Sequence, residues 1–344
     1  MRRKPKDRDF IETPEGFLFC VVGYLHPPDK YTVYLKYTPT HEGRWQRQGK
    51  AYHRELAFYH AHQVGKTLDF LESSYPQYMH DSPVWDMRFS MVPHNLVQTY
   101  YVPEQRLRQI LANPTDILEE ETATVADAIQ SATGIPASEL GVTGSILLGI
   151  HDPSFSDIDL TILGRANTDL LREALTTRDV SGINPMSEAY ADEWCRGVVQ
   201  NFGLRYEQAR WLISRRWNFG YFGNGQHVVS IHPTRSDAEI DEIYGDHTYR
   251  DAGVARLRAT IADAGESIFL PAVYAIEEVE ILDGPAVHIG EIISYEGLFG
   301  QIGEAGERVE ACGKLERVDG GPLHRLVIGS SHRAGREYLL PVWL

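Results

Sequence analysis

The run Asp157-Ile158-Asp159-Leu160-Thr161-Ile162-Leu163 constrains this chain more tightly than any other stretch. An extended backbone alternates its side chains, so Asp157 and Asp159 fall on one face of the strand and Ile158 and Leu160 on the other. Two neighbouring carboxylates repel and raise one another's pKa unless a cation sits between them. Oxygen-only ligands of this kind suit Mg²⁺, which binds through one or two carboxylates together with substrate phosphates. Upstream, a short apolar strand around Leu140–Thr143 leads into Gly144-Ser145, which opens a small helix. Backbone N–H groups at such a turn, with the serine hydroxyl, form a phosphate cradle. The two pieces together make a site for a metal-bound nucleoside triphosphate.

A length of 344 residues suggests two or three domains. With 42% apolar and 24% charged residues the composition is that of a folded chain with a sizeable core. No stretch approaches the ~20 apolar residues of a membrane span. The opening MRRKPKDRDF leads into no apolar signal region, and Cys20, Cys195 and Cys312 are far apart, with no CxxC spacing. A disulfide framework or cysteine-built zinc site is disfavoured, and the expected location is a reducing cytoplasm without membrane contact. The net charge of −15 is uneven: residues 1–110 carry 15 Lys+Arg against 12 Asp+Glu, the remainder 18 against 36. An acidic two-thirds argues against broad, nonspecific nucleic-acid binding. The basic opening run, Arg2, Arg3, Lys4, Lys6 and Arg8, reads as a flexible solvated tail in preference to an RNA contact.

Three units are expected: an N-terminal α+β domain (1–115), a core (116–265) and a C-terminal β domain (266–344). In the first, two alternating runs around Phe17–Tyr24 and Tyr31–Tyr37 flank the breaker His26-Pro27-Pro28-Asp29 and predict an antiparallel hairpin. A helix is expected from about Tyr52 to Leu71. His53, His60, His62, His80 and His94 read as packing or surface residues, since residues two apart on a helix point to different faces. In the core, Ile117–Thr133 predicts a helix stopped by Gly134-Ile135-Pro136. Ser187–Trp217 predicts two helices broken near Asn201-Phe202-Gly203, and Phe219–Phe222 with His227–Ile231 a hairpin around Gly223-Asn224-Gly225. The strands Ala272–Leu282, His288–Ser294, Arg308–Leu315 and Leu323–Gly329, spaced by Gly and Pro, predict a small barrel or sandwich.

Gly144-Ser145, a spacer of eleven residues, then Ser156-Asp157-Ile158-Asp159-Leu160 resembles the nucleotidyltransferase signature of the DNA polymerase β-like superfamily. The resemblance covers about residues 119–233. It implies an α+β fold, a small mixed β-sheet with helices packed on it, between the N-terminal α+β region and the C-terminal β unit. It also implies transfer of a nucleoside monophosphate from an NTP to a hydroxyl acceptor, with release of pyrophosphate. Asp157 and Asp159 would be the catalytic metal ligands for Mg²⁺, with Mn²⁺ as the alternative ion. Gly144 and Ser145 would bind the nucleotide. The acceptor stays open among RNA or tRNA, a protein and a small molecule.

One departure stands out. Catalytic members of that superfamily carry a third carboxylate on a later neighbouring strand, and His227–His232 contains no acid. The substitutes within the sequence are His232, Ser230, Asp237, Glu239, Asp241, and the pair Glu278 and Glu280. The gap gives weight to an alternative, a catalytically silent nucleotide- or RNA-binding module on the same fold. Arg205, Arg210, Arg215 and Arg216, with Trp211 and Trp217, read first as a helix face packed on the sheet and only second as a triphosphate or acceptor clamp. No Gly-x-Ser-x-Gly motif, Walker loop or dinucleotide fingerprint is present.

Overall fold

The structure, a computed structural model, describes residues 3–56, 61–177, 180–223, 227–330 and 336–343. Among these the chain is mixed α+β, with three sheets and seven α-helices.

The first sheet has eight strands: β1 (Phe10–Glu12), β2 (Leu18–Val21), β3 (Lys30–Thr40), β4 (Trp45–Arg47), β5 (Lys50–Arg54), β6 (Met79–Ser82), β7 (Met87–Pro93) and β8 (Thr99–Tyr101). Strands β2 and β3 pair antiparallel, as the two alternating runs require, and the alternation buries Tyr31, Val33, Leu35 and Tyr37. The helix expected from Tyr52 begins later, as α1 (Ala61–Ser74). Tyr52 is instead fully buried on β5, whose pairing with β3 holds it against Tyr37 and Leu18. His60 and the side chain of His62 lie outside the described residues.

The basic opening is not a solvated tail. Arg3 forks across Asp9 at 2.6 Å and Glu104 at 3.0 Å. Lys6 is 2% exposed and pairs with Asp237, while the Lys4 ammonium donates to the Ile240 carbonyl. Buried Asp9 just before β1, Glu104, Asp237 and the Ile240 carbonyl recruit these cations, which sequence position alone does not reveal. Arg2 lies outside the described residues.

The second sheet runs β11 (Ile183–Asn184), β12 (Phe219–Phe222), β13 (His227–Thr234), β10 (Ile158–Leu163), β9 (Leu140–Val142), with β10 and β13 parallel and the rest antiparallel. The helices are α2 (Pro103–Ala112), α3 (Ile117–Thr133), α4 (Gly144–Leu148), α5 (Arg165–Thr177), α6 (Glu188–Phe202) and α7 (Tyr206–Ser214). Helix α3 begins where Asp116 caps the Leu118 and Glu119 N–H groups and ends at Gly134 in the left-handed region. On one face, Leu140, Val142, Ile158, Leu160, Ile162, Val229 and Ile231 pack with Leu118, Val125, Ile129 and Leu171 of α3 and α5. The other face carries Asp159, Ser230 and His232. Of the hairpin joining β12 to β13, residues 224–226 lie outside the described residues.

The third sheet contains β14 (Tyr249–Asp263), β15 (Ala272–Asp283), β16 (His288–Ser294), β17 (Arg308–Val318), β18 (Leu323–Ile328) and β19 (Tyr338–Pro341). Its order is β14-β15-β16-β18-β17-β19, with β14 also paired to β17 and β16 parallel to β18. The sheet therefore starts at Tyr249, ahead of residue 266. Helices α6 and α7 set Cys195, Val198, Ala209 and Leu212 into its core beside Leu257, Tyr274 and Phe299, with Trp211 at the margin. Arg210 and Arg215 pair with Glu188 and Glu307, as a packed helix face demands. Cys20, Cys195 and Cys312 are free. No helix among the described residues is long and apolar enough to cross a membrane.

Candidate functional site

The short helix α4 is placed by contacts at both ends. The Thr143 hydroxyl donates to the Arg8 carbonyl (2.8 Å), Arg106 Nε to Ile146 O (3.3 Å) and Arg47 Nη1 to Leu148 O (2.9 Å). Leu147, Leu148 and Ile150 meanwhile pack against Phe10, Leu18, Cys20, Tyr37 and Tyr52 of the first sheet. Gly144 opens this helix at φ +66°, and a Cβ built there would lie 2.6 Å from Asp159 Oδ2. Only glycine fits. The Gly-Ser and Asp-x-Asp pieces of the sequence are thus brought into contact. The Ser145 hydroxyl makes no hydrogen bond to a described residue. Ser156 has a framework role: buried, it accepts from the Asp152 N–H (3.0 Å), and its carbonyl meets His227 Nδ1 at 3.1 Å.

Asp159 sits opposite Ser230 in the parallel register of β10 and β13. Ser230 Oγ donates to Asp159 Oδ1 (2.5 Å) and lies 2.8 Å from His232 Nε2. With the hydroxyl proton committed to Asp159, the imidazole Nε2–H is the donor to Ser230 Oγ. Burial and the nearby charge of Arg8 push His232 down to about 4, against the pull of Asp159. His232 is therefore uncharged at neutral pH. Burial on its own would raise the Asp159 carboxyl; His232, Lys36 and Ser230 outweigh it and hold Asp159 well below the usual carboxylate range. At neutral pH the Ser230 hydroxyl and the Lys36 ammonium carry that effect. This is not a hydrolase arrangement, because the serine proton goes to the carboxylate and not to the imidazole.

Asp157 stands at the mouth of the site, exposed, and its carboxylate accepts no hydrogen bond from a described residue. Desolvation and then the charge of Asp159 push it up to about 6, partly offset by Arg54 and His227. Tyr190, which packs edge-on against Tyr221 at 5.5 Å, feels the same charge: burial and Asp157 push its hydroxyl up to about 12. Asp159 is held as the anion by Ser230 and Lys36, whereas Asp157 is compensated only in part, by Arg54 and His227. The mutual repulsion of such a pair would be relieved by a cation.

The sequence candidates for a third acid separate cleanly. Ser230 and His232 are beside Asp159, as described. Asp237 pairs with Lys6, Glu239 caps Ser236 and the Arg165 N–H, Glu278 accepts from Thr260, and Glu280 pairs with Arg308. Asp241 is an exposed side chain. The strand position facing Asp159 is therefore a hydroxyl with an imidazole behind it.

Sequence reasoning missed the part played by the first sheet. Lys36 is 4% exposed on β3, its ammonium 5.2 Å from the Phe10 ring, and Arg8 and Arg54 act on the same cluster. The only signal in the sequence is a lysine interrupting a buried run, Leu35-Lys36-Tyr37. A separate cluster, Asp116, Glu119 and His151, has the proximity of a metal site. Most of its atoms are already engaged, while His151 Nδ1 is buried with no hydrogen-bond partner among the described residues. Asp116 caps α3 and meets His151 at 2.8 Å, while Glu119 pairs with Arg106 and accepts from Thr115 at 2.8 and 2.9 Å.

Over 98% of both chains, the sequence is 29% identical to an uncharacterized protein of Methanocaldococcus jannaschii. No family model matches the chain. No solved structure matches it.

Proposed function

We propose that this chain is a Mg²⁺-dependent nucleotidyltransferase that moves a nucleoside monophosphate from an NTP to a hydroxyl acceptor, releasing pyrophosphate. The observation that carries this reading is the contact of Gly144 with Asp159, which places the Gly-Ser turn beside the Asp157–Asp159 pair. Two parts separated by a dozen residues are packed so closely that a side chain at Gly144 would meet the Asp159 carboxylate. The donor set fits Mg²⁺: two carboxylates, oxygen only, one of them, Asp157, only partly offset by Arg54 and His227. When bound, the ion would offset phosphate charge and favour departure of pyrophosphate. Asp157 and Asp159 would hold it, and the Ser230 hydroxyl would fix the rotamer of Asp159. Gly144 and Ser145 would receive the triphosphate with a backbone N–H and a free hydroxyl. Lys36, reaching in from the first sheet, would add a cation on the same side.

The β9, β10 and β13 arrangement with helices on one face supports the nucleotidyltransferase-like core. The double pairing of β14 with β15 and β17 supports a C-terminal barrel. Absence of a membrane-spanning helix among the described residues accords with a cytoplasmic protein. A second reading, a silent nucleotide- or RNA-binding module, is favoured by Ser230 and His232 standing where a third acid is expected. Binding tests the metal site. NTP affinity should tighten with Mg²⁺ and lose that dependence in Asp157→Asn; an affinity indifferent to both would overturn the reading.

A further inference from the structure

On the far side of the second sheet from Asp159 lies a cavity of about 320 Å³. It opens between β11–β13 and helices α5, α6 and α7. Its walls are largely apolar: Leu175, Ile183, Met186, Ile213, Trp217 and Phe219 contribute to them. Val229 and Ile231 form part of its floor, while Ser230, between them, points to the opposite face. The cavity is therefore separate from the carboxylate pair.

Two arginines also line it, and they differ in their partners. Arg210 is neutralised by Glu188 at 2.9 Å and by Asp192 at 3.7 Å. Arg216 has no carboxylate partner among the described residues. Its Nη2 donates to the Gly297 carbonyl (2.6 Å), and its Nε is sealed from solvent with no hydrogen-bond partner. The guanidinium carbon lies 5.6 Å from the Phe219 ring centroid and 5.8 Å from that of Trp194. Burial pushes the group down to about 10, opposed only by Tyr274. A half-buried guanidinium with a sealed, unpaired Nε and no counter-anion beside an apolar space gains from an anion that joins it. Apolar walls with a few convergent polar groups, here Arg216 beside the Arg210–Glu188 pair that also lines the cavity, are the usual composition of a small-molecule pocket.

We propose that this cavity binds a small organic anion, a carboxylate or phosphate monoester with an apolar body, whose charged head pairs with Arg216. The body lies against Met186, Ile213 and Trp217. This site stands whether or not the chain transfers nucleotides.

Phenylacetate and phenyl phosphate are the probes, with benzyl alcohol as the neutral comparison. Each is titrated into the full chain by ligand-observed NMR and calorimetry, without NTP or Mg²⁺. At least one anion should bind the parent at least tenfold tighter than benzyl alcohol; which of the two binds better identifies the head group. Arg216→Met should lower that affinity at least tenfold. Because Arg216 also ties the segment after α7 to Gly297, between β16 and β17, a second variant, Ser214→Trp, crowds the cavity from its rim and keeps the guanidinium. It should abolish anion binding while leaving the ligand-free melting temperature close to that of the parent. Binding of neither anion, equal binding of benzyl alcohol, or anion binding that survives both variants would each overturn the proposal.

Discussion

Gly144→Ala is the perturbation the site geometry constrains most closely. Two costs add. An alanine held at φ +66° is strained by ~1–2 kcal/mol. The new Cβ would also stand 2.6 Å from Asp159 Oδ2, well inside contact distance, so the carboxylate must turn away from Ser230. Hydrogen bonds to charged groups contribute ~1.5–3 kcal/mol, and the 2.5 Å bond from Ser230 would be weakened or lost. The expected destabilisation is about 3 kcal/mol. Gly134→Ala supplies the internal control: φ there is +73°, and a Cβ would meet nothing within 4 Å, so backbone strain of about 1 kcal/mol is its whole cost. Urea unfolding of both variants against the parent reads the difference. Gly144→Ala should lose about 2 kcal/mol more than Gly134→Ala, and its Mg²⁺-dependent NTP binding should weaken at least tenfold. Equal destabilisation of the two variants would refute the packing of Gly144 on Asp159.

Asp157, raised to about 6 when folded, binds a proton more readily in the native state than in the unfolded one, so stability should fall as pH rises from about 4 to about 6. Two pH units would correspond to ~3 kcal/mol, and screening at this exposed position reduces that to about 1 kcal/mol. Melting curves of Asp157→Asn should show a gain of that size at pH 7 and none at pH 4; a loss at pH 7 would contradict the assignment. Arg3→Ala leaves the fully buried Asp9 without its guanidinium partner and should cost ~2 kcal/mol in urea unfolding, whereas a solvated tail would cost nothing. Lys36→Met should weaken NTP binding at least tenfold in calorimetry; unchanged affinity would remove Lys36 from the site.

The elements that sequence resolved were those with strong local signals. Helix α3 carries its own start and stop in Asp116 and Gly134, and the β2 and β3 runs are apolar-rich segments around a Pro-Pro breaker, with Tyr31, Val33 and Leu35 buried in alternation. The contact of Gly144 with Asp159 was legible because a strand, a turn and a second strand lie within twenty residues. The misplaced elements depend on distant partners. Strand β14 alternates strictly, burying Ala255, Leu257, Ala259 and Ile261 between Arg256, Arg258 and Thr260, but that local pattern does not name its partners β15 and β17. Tyr52 reads as the start of a helix until β3 pairs with it. The cations Arg8, Lys36 and Arg54 reach the carboxylates from the N-terminal part of the chain, and the basic residues at positions 3 and 6 find distant acids while Lys4 finds the Ile240 carbonyl. No local pattern encodes such meetings.

Transfer from labelled NTPs in the presence of Mg²⁺, measured for the parent and for Asp159→Asn, tests the central claim most directly. Asparagine keeps the size of the side chain and can still accept from Ser230, but it removes the charge that would hold the metal. Charge stabilisation by a metal is worth several kcal/mol, so turnover should fall on the order of a hundredfold or more while the variant remains folded. Turnover per folded molecule that matches the parent, or a parent that binds Mg²⁺ and NTP yet transfers nothing to any acceptor tried, would contradict it.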